Sequence, residues 1–235
     1  MMTLHYIFDP LCGWCYAAAP LVKAARSLPG LRVAFHGGGM MMDGDRRPIT
    51  PQWREYVIPH DRRIAAVSGQ PFGEAYFDGL LLDRGAVMDS APPTTAILAA
   101  EAIAGRGLDM LDRLQRAHYV QGRRIAEPAV LHAIATDMGL SPVEFDHAYA
   151  DLEGGPTRNH VAASRELLAR VGGRGFPTLV LETDDRKLQV LDLSTWLGKP
   201  DAFREHLAGR LPATAPAQVE AEAPFCGVDG CTPEA

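Results

Sequence analysis

Four cysteines in 235 residues are too few to staple a small disulfide scaffold. Charge of one sign is in short supply as well. The 23 basic and 29 acidic side chains leave a formal charge of −6, so the electrostatics give no reason to expect a nucleic-acid partner. Long apolar runs are missing: the most hydrophobic region, residues 96–104, is interrupted by Glu101. It falls short of the roughly 20 residues that cross a bilayer, and no membrane partner is expected. Residues 1–10 carry neither a basic cluster nor the apolar core of a secretory leader, so the expected location is cytoplasmic. The eight histidines form no H-E-x-x-H motif or other close pair; each is expected at the surface or as a cap, with no metal site. Gly37-Gly38-Gly39 lacks the lysine and hydroxyl residue of a phosphate loop, and the doublets Arg46-Arg47, Arg62-Arg63 and Arg123-Arg124 read as solvated faces.

What is present is a globular chain, 47% hydrophobic and 22% charged, long enough for one domain with a large insertion or two small ones. Leu4 to Phe8 reads as a buried strand, ended by Asp9-Pro10. From Gly13, apolar residues recur at helical spacing until Pro29-Gly30, and Leu31 to Phe35 reads as a second strand. Between Thr50 and Gly173 the pattern is helical, five or six helices in all. Thr50-Pro51, Glu127-Pro128 and Ser141-Pro142 mark starts, Ser141 and Glu144 form a capping box, and Gly105, Gly122, Gly139, Gly154 and Gly172 mark stops. Pro177 to Leu181 and Leu188 to Leu193 read as a hairpin, and Pro200 to Leu211 as a closing helix. The organisation predicted is a βαβ half (1–49), a helical insertion (50–173), a ββα half (174–211) and a tail (212–235) too rich in Ala, Pro and Glu to pack.

The chemistry concentrates at Cys12-Gly13-Trp14-Cys15, where the first strand meets the first helix. A cysteine at a helix N-terminus sits among unpaired N–H groups and the positive end of the helix dipole, which favour thiolate over thiol. Cys12 is therefore expected to be a nucleophile that ionises below the free value of about 8.5. Cys15, one turn deeper on the same face, is placed to close a disulfide as the resolving thiol. An isolated C-x-x-C can also be half of a zinc site, but zinc pairs usually lie in knuckle turns, whereas this one opens an amphipathic helix inside a βαβ unit.

The run Asp9-Pro10-Leu11-Cys12-Gly13-Trp14-Cys15 at the end of a strand, a long helical insertion, and Gly175-Phe176-Pro177-Thr178 before the next strand together resemble the DsbA family. The resemblance covers most of residues 3–211 and is nearest to its cytoplasmic FrnE-like and disulfide-isomerase branch. It implies an α/β thioredoxin-like fold with the all-helical insertion between its βαβ and ββα halves. It also implies that Cys12 attacks, that Cys15 resolves, and that Pro177 is cis. Trp14, Phe176 and Thr178 would bind substrate, the backbone at Phe176 pairing with an extended segment. Trp14 stands where the periplasmic oxidant has histidine, so a weaker oxidant is expected, in the reducing half of the roughly −270 to −120 mV range of such pairs. Tyr6 occupies the place of a buried acid common in thioredoxin-like enzymes. Asp9, the nearer carboxylate, reads better as a turn or cap residue.

A second pair, Cys226 and Cys231, lies in the tail, as in some FrnE-like proteins. A tether of about 14 residues reaches roughly 20 Å, so a redox relay to Cys12, an inert tail and a four-thiol zinc site all stay open. Met40-Met41-Met42 reads as core packing first and an adaptable substrate groove second. The function expected is a thiol-disulfide oxidoreductase acting through a mixed disulfide. Its substrates would be protein or small thiols, with glutathione or a thioredoxin-type protein as reductant and no bound cofactor. Two other classes compete. One is a glutathione-dependent transferase or isomerase of the kappa or hydroxychromene carboxylate type, which usually has serine at the Cys12 position; the other is a zinc-stabilised interaction module.

Overall fold

The computed structural model describes residues 2–211. Strand β1 (Met2–Phe8), helix α1 (Gly13–Arg26) and strand β2 (Leu31–Gly37) form the predicted βαβ unit. A short strand β3 (Arg47–Pro48), helix α2 (Pro51–Ser68) and strand β4 (Val87–Met88) follow, then α3 (Ala91–Ala104), α4 (Gly107–Tyr119), α5 (Pro128–Asp137), α6 (Pro142–Leu152) and α7 (Gly155–Arg170). Strands β5 (Thr178–Glu182) and β6 (Leu188–Leu191) and helix α8 (Pro200–Ala208) complete the described chain. No helix among the described residues is long and apolar enough to cross a membrane.

The two ends of the chain build one four-stranded sheet in the order β2-β1-β5-β6. β1 runs parallel to β2 and antiparallel to β5. Being central, β1 buries both faces, so Tyr6, Ile7 and Phe8 can be consecutive and apolar. Leu4, Tyr6 and Phe8 point into the main core with Leu179 and Leu181, whereas Ile7 packs on the other face with Val180 and Leu167 of α7. Each such buried side chain stabilises the fold by about 1.5–3 kcal/mol. The pairing of Ile7 with Thr178 brings the segment before β5 alongside the turn after β1.

Several of the helix starts and stops read from the sequence recur in the helical insertion. Thr50 and Ser141 cap α2 and α6 through their side chains, and the five predicted stop glycines take positive φ values of 63° to 77°. The ladder between β3 and β4 was not foreseen, because two-residue strands leave no periodicity to read. β5 starts one residue later than expected, β6 ends at Leu191, and α8 ends at Ala208 rather than Leu211.

The histidine expectation needs correction. His118 is buried, His5 bonds to both His36 and Glu182, and His160 Nε2 accepts the Gly37 N–H at 2.9 Å. Imidazole joins a half-apolar layer readily because most of its surface is carbon, and spacing alone does not reveal this. The three arginine doublets are likewise not simply solvated: Arg47 lies over the Trp53 ring, Arg63 over the Trp14 ring, and Arg124 is bound to Asp83 and Glu127.

Candidate active site

The β1–α1 turn places Cys12 as the N-cap of α1 in extended geometry, its Sγ accepting the Cys15 N–H at 3.4 Å. A side chain in that position meets the helix's unpaired donors directly. Asp9 closes the turn: its carboxylate accepts from Leu11 N at 2.9 Å, Met40 N at 2.6 Å and Ser90 Oγ at 3.0 Å. The turn role read from the sequence is the one the structure assigns to it. Asp9 N–H in turn donates to Cys15 Sγ at 3.4 Å.

The two thiols differ in surroundings. Cys15 is fully buried, and burial pushes its thiol well above the ordinary cysteine range, reinforced by its neighbour Cys12. Tyr6, in the position often held by an acid, donates its hydroxyl to the Cys15 carbonyl at 3.0 Å; burial raises its own pKa first and foremost. Cys12 keeps 7% of its surface exposed.

Across from Cys12 stands the segment before β5. The Phe176–Pro177 peptide bond is cis, as the resemblance implied, and Cys12 Sγ lies 3.5 Å from the Phe176 carbonyl oxygen. The Phe176 ring is seated on Gly38, where any Cβ would come within 2.1 Å of it. Arg165 of α7 holds this glycine loop by donating to the Gly38 and Gly39 carbonyls at 2.8 and 2.6 Å. Gly38 is thus a bare backbone surface on which the ring rests, while Gly37 is crowded by Thr94 and His160 and Gly39 by Val161.

Cys12 opens into a cavity of about 730 Å³ between the sheet's end and α2. Trp14, Met40, Trp53, Tyr119 and Phe176 supply much of its wall, with Arg47 and His60 among its polar groups. Trp14 and Phe176 also border a second cavity of about 310 Å³, which Pro177 and Arg63 help to line. Cys12, Trp14 and Phe176 are thus brought together and Pro177 adjoins them. Thr178 is turned inward instead, its hydroxyl donating to the Gly175 carbonyl at 2.8 Å. Met40 and Met41 line the cavity while Met41 and Met42 are buried, so both readings of the methionine run apply.

Asp61 is the residue the sequence reading missed. Val57, Asp61, Ile64 and Ser68 are the buried positions of α2, and this i, i+4, i+7, i+11 spacing is the signal that could have exposed it, an aspartate on a buried stripe. Asp61 lines the cavity with Cys12. Tyr76 Oη donates to its Oδ2 at 2.8 Å. Burial pushes its carboxyl up to about 6, against the Tyr76 hydrogen bond, which favours the charged form. Gly13 explains the close approach of α2 to the dithiol: a Cβ there would lie 2.8 Å from Ile64 Cδ1 and 3.0 Å from Asp61 Oδ1.

Among the described residues no group of three or more His, Cys, Asp or Glu side chains is arranged to hold a metal ion. Cys226, Cys231 and the rest of the 212–235 tail lie outside the described residues.

The model of the DSBA-like thioredoxin domain matches residues 3–208. Among solved structures, the cytosolic disulfide reductase DsbM from Pseudomonas aeruginosa is 55% identical, with a TM-score of 0.84 over 89% of this chain and 98% of that one. DsbM solved with GSH aligns at 54% identity and a TM-score of 0.83, over the same 89% and 98%. A candidate protein disulfide isomerase from Nitrosomonas europaea is 26% identical, with a TM-score of 0.72 over 89% of this chain and 97% of that one. No curated protein matches in sequence.

Proposed function

The chain belongs to the DSBA-like thioredoxin family and is a thiol-disulfide oxidoreductase, and on that premise we propose that it reduces small disulfides in the cytoplasm, with glutathione as co-substrate. In this reading Cys12 attacks one sulfur of the substrate disulfide, expels the other as a thiol and holds the first as a mixed disulfide. Cys15 then displaces the captured sulfur, closing the Cys12–Cys15 disulfide. Two electrons pass from the dithiol to the substrate at each turnover, and thiols of the cell, glutathione or a thioredoxin-type protein, restore the dithiol.

The observation that carries the reading is the asymmetry of the pair: Cys12 at a helix N-cap on the floor of a 730 Å³ cavity, Cys15 sealed behind it. A cavity of that size takes a drug-sized ligand, and Arg47 among its polar residues suits the carboxylates of a peptide thiol. GSH in the solved DsbM supports glutathione, and the cytosolic description of DsbM supports the location. Trp14 and Phe176 contribute apolar walls, and Pro177 shapes the rim.

The experiment starts from the full chain with its dithiol already reduced and follows reduction of oxidised glutathione and of insulin by it, with Cys12→Ser as control. Reduction that disappears in Cys12→Ser supports the proposal. Glutathione conjugation that survives in Cys12→Ser, without disulfide reduction by the parent, contradicts it and favours the transferase class.

A further inference from the structure

Thiol-disulfide exchange moves a proton as well as electrons. The attacking cysteine must shed one, and the sulfur expelled from the substrate, a basic thiolate when the substrate is an alkyl disulfide, must gain one. Two buried carboxylates stand near the dithiol. Asp9 is fully enclosed and its oxygens are engaged by the Leu11 and Met40 amides and the Ser90 hydroxyl, an arrangement that fixes a turn. Asp61 is different. Its Oδ2 is held by Tyr76 at 2.8 Å, its Oδ1 lies beside Gly13, between the two cysteines, 3.0 Å from where a Cβ there would stand, and it borders the same cavity as Cys12. Enclosing a carboxylate costs stability unless it is paired, and on the Val57–Ile64–Ser68 stripe of α2 an apolar residue would serve packing better.

We infer that Asp61 is the proton carrier of the site: its carboxylate accepts the proton of the Cys12 thiol, and the carboxylic acid so formed delivers it to the sulfur expelled from the substrate disulfide. The inference rests on Cys12 being the attacking sulfur and adds the route of the proton. The Cys12 lone pair forms the new S–S bond, the substrate S–S bond breaks with its electron pair on the leaving sulfur, and that sulfur departs as a thiol. Asp61 returns to a carboxylate. When Cys15 displaces the second sulfur, that one leaves with the proton Cys15 gives up. A carboxyl raised to about 6 by burial exchanges protons at neutral pH far better than one near 4. The titratable and charged groups that share this cavity with it are Cys12 at the N-cap of α1, Arg47 from β3, Tyr56 and His60 from α2, Tyr76, which holds its Oδ2, and Tyr119 from α4.

The test uses two disulfides that differ in the basicity of the departing sulfur. Oxidised glutathione releases a basic thiolate that needs a proton, whereas dithiobis(nitrobenzoate) releases a stabilised aromatic thiolate that does not. Rates of single-turnover reduction by the full chain and by Asp61→Asn are measured across pH. The expected result is a loss of about 100-fold with oxidised glutathione, a distinctly smaller loss with the aromatic disulfide, for which Asp61 only takes up the Cys12 proton, and disappearance of the limb near pH 6. Tyr76→Phe, which removes the donor to the carboxylate, is expected to move that limb upward, a readout that stands even if Asp61→Asn folds poorly. Equal slowing on both disulfides, no slowing on either, or a limb that Tyr76→Phe leaves in place overturns the assignment. A parent chain that reduces neither disulfide overturns the dithiol reading along with it.

Discussion

Cys12 Sγ and the Phe176 carbonyl oxygen lie 3.5 Å apart although 164 positions separate them in sequence. The contact depends on a ring resting on bare backbone, since Phe176 packs where Gly38 has no side chain. Gly38→Ala puts a methyl within 2.1 Å of the ring. We expect it to displace the Phe176 segment from Cys12, to cost about 1–3 kcal/mol in urea unfolding, and to slow disulfide reduction. Wild-type rates and stability in Gly38→Ala would show that the ring does not position the segment.

His118 makes the fold acid-sensitive. Its ring is buried edge-on to Tyr119, centroids 4.7 Å apart, and burial lowers its pKa to about 3. His36 is lowered to about 4, chiefly by burial and then by His5. Unfolded imidazoles take a proton near 6.5. Below that pH the unfolded chain binds more protons than the folded one, so the stability present above about 6.5 falls as pH drops toward 3. His118→Phe removes one of these sites. Its stability relative to the parent is expected to rise by up to ~3 kcal/mol between about pH 7 and pH 4. A difference that stays constant over this range contradicts the buried neutral ring.

Asp61 acts in the opposite sense. Its pKa is raised from 3.8 to about 6, so between those values the folded chain binds more protons than the unfolded one. The cost of its charge is in force above about 6 and is relieved as pH falls through 6 toward 3.8. Asp61→Asn, which can still accept from Tyr76, is expected to be more stable than the parent at pH 7, by up to about 3 kcal/mol, and to lose that advantage near pH 4. Chemical denaturation at the two pH values reads this directly. A variant less stable at pH 7 than at pH 4, each relative to the parent, contradicts an enclosed charge.

Much of this architecture was legible from local signals. Asp9-Pro10, Thr50-Pro51 and the stop glycines act through their own backbone, so spacing alone located β1, α2 and the helix ends. Cys12 could be assigned to a helix N-cap because the strand ends and the apolar period begins around it. What escaped depends on distant partners. Nothing in the sequence near Gly38 announces the Phe176 ring, and Asp61 shows its importance only once α2 is laid against Gly13. The histidines were misread for the same reason: His5, His36 and Glu182 meet only when β1, β2 and β5 pair.

The account stands most directly on which sulfur captures the substrate and which releases it. Full-length Cys15→Ala is treated with oxidised glutathione and the adduct located by peptide mass spectrometry, beside the parent chain. The account predicts a lasting glutathione adduct on Cys12 in the variant and a transient one in the parent, followed there by a Cys12–Cys15 disulfide. An adduct confined to Cys226 or Cys231, or one on Cys12 that the parent retains as long as the variant does, would contradict it.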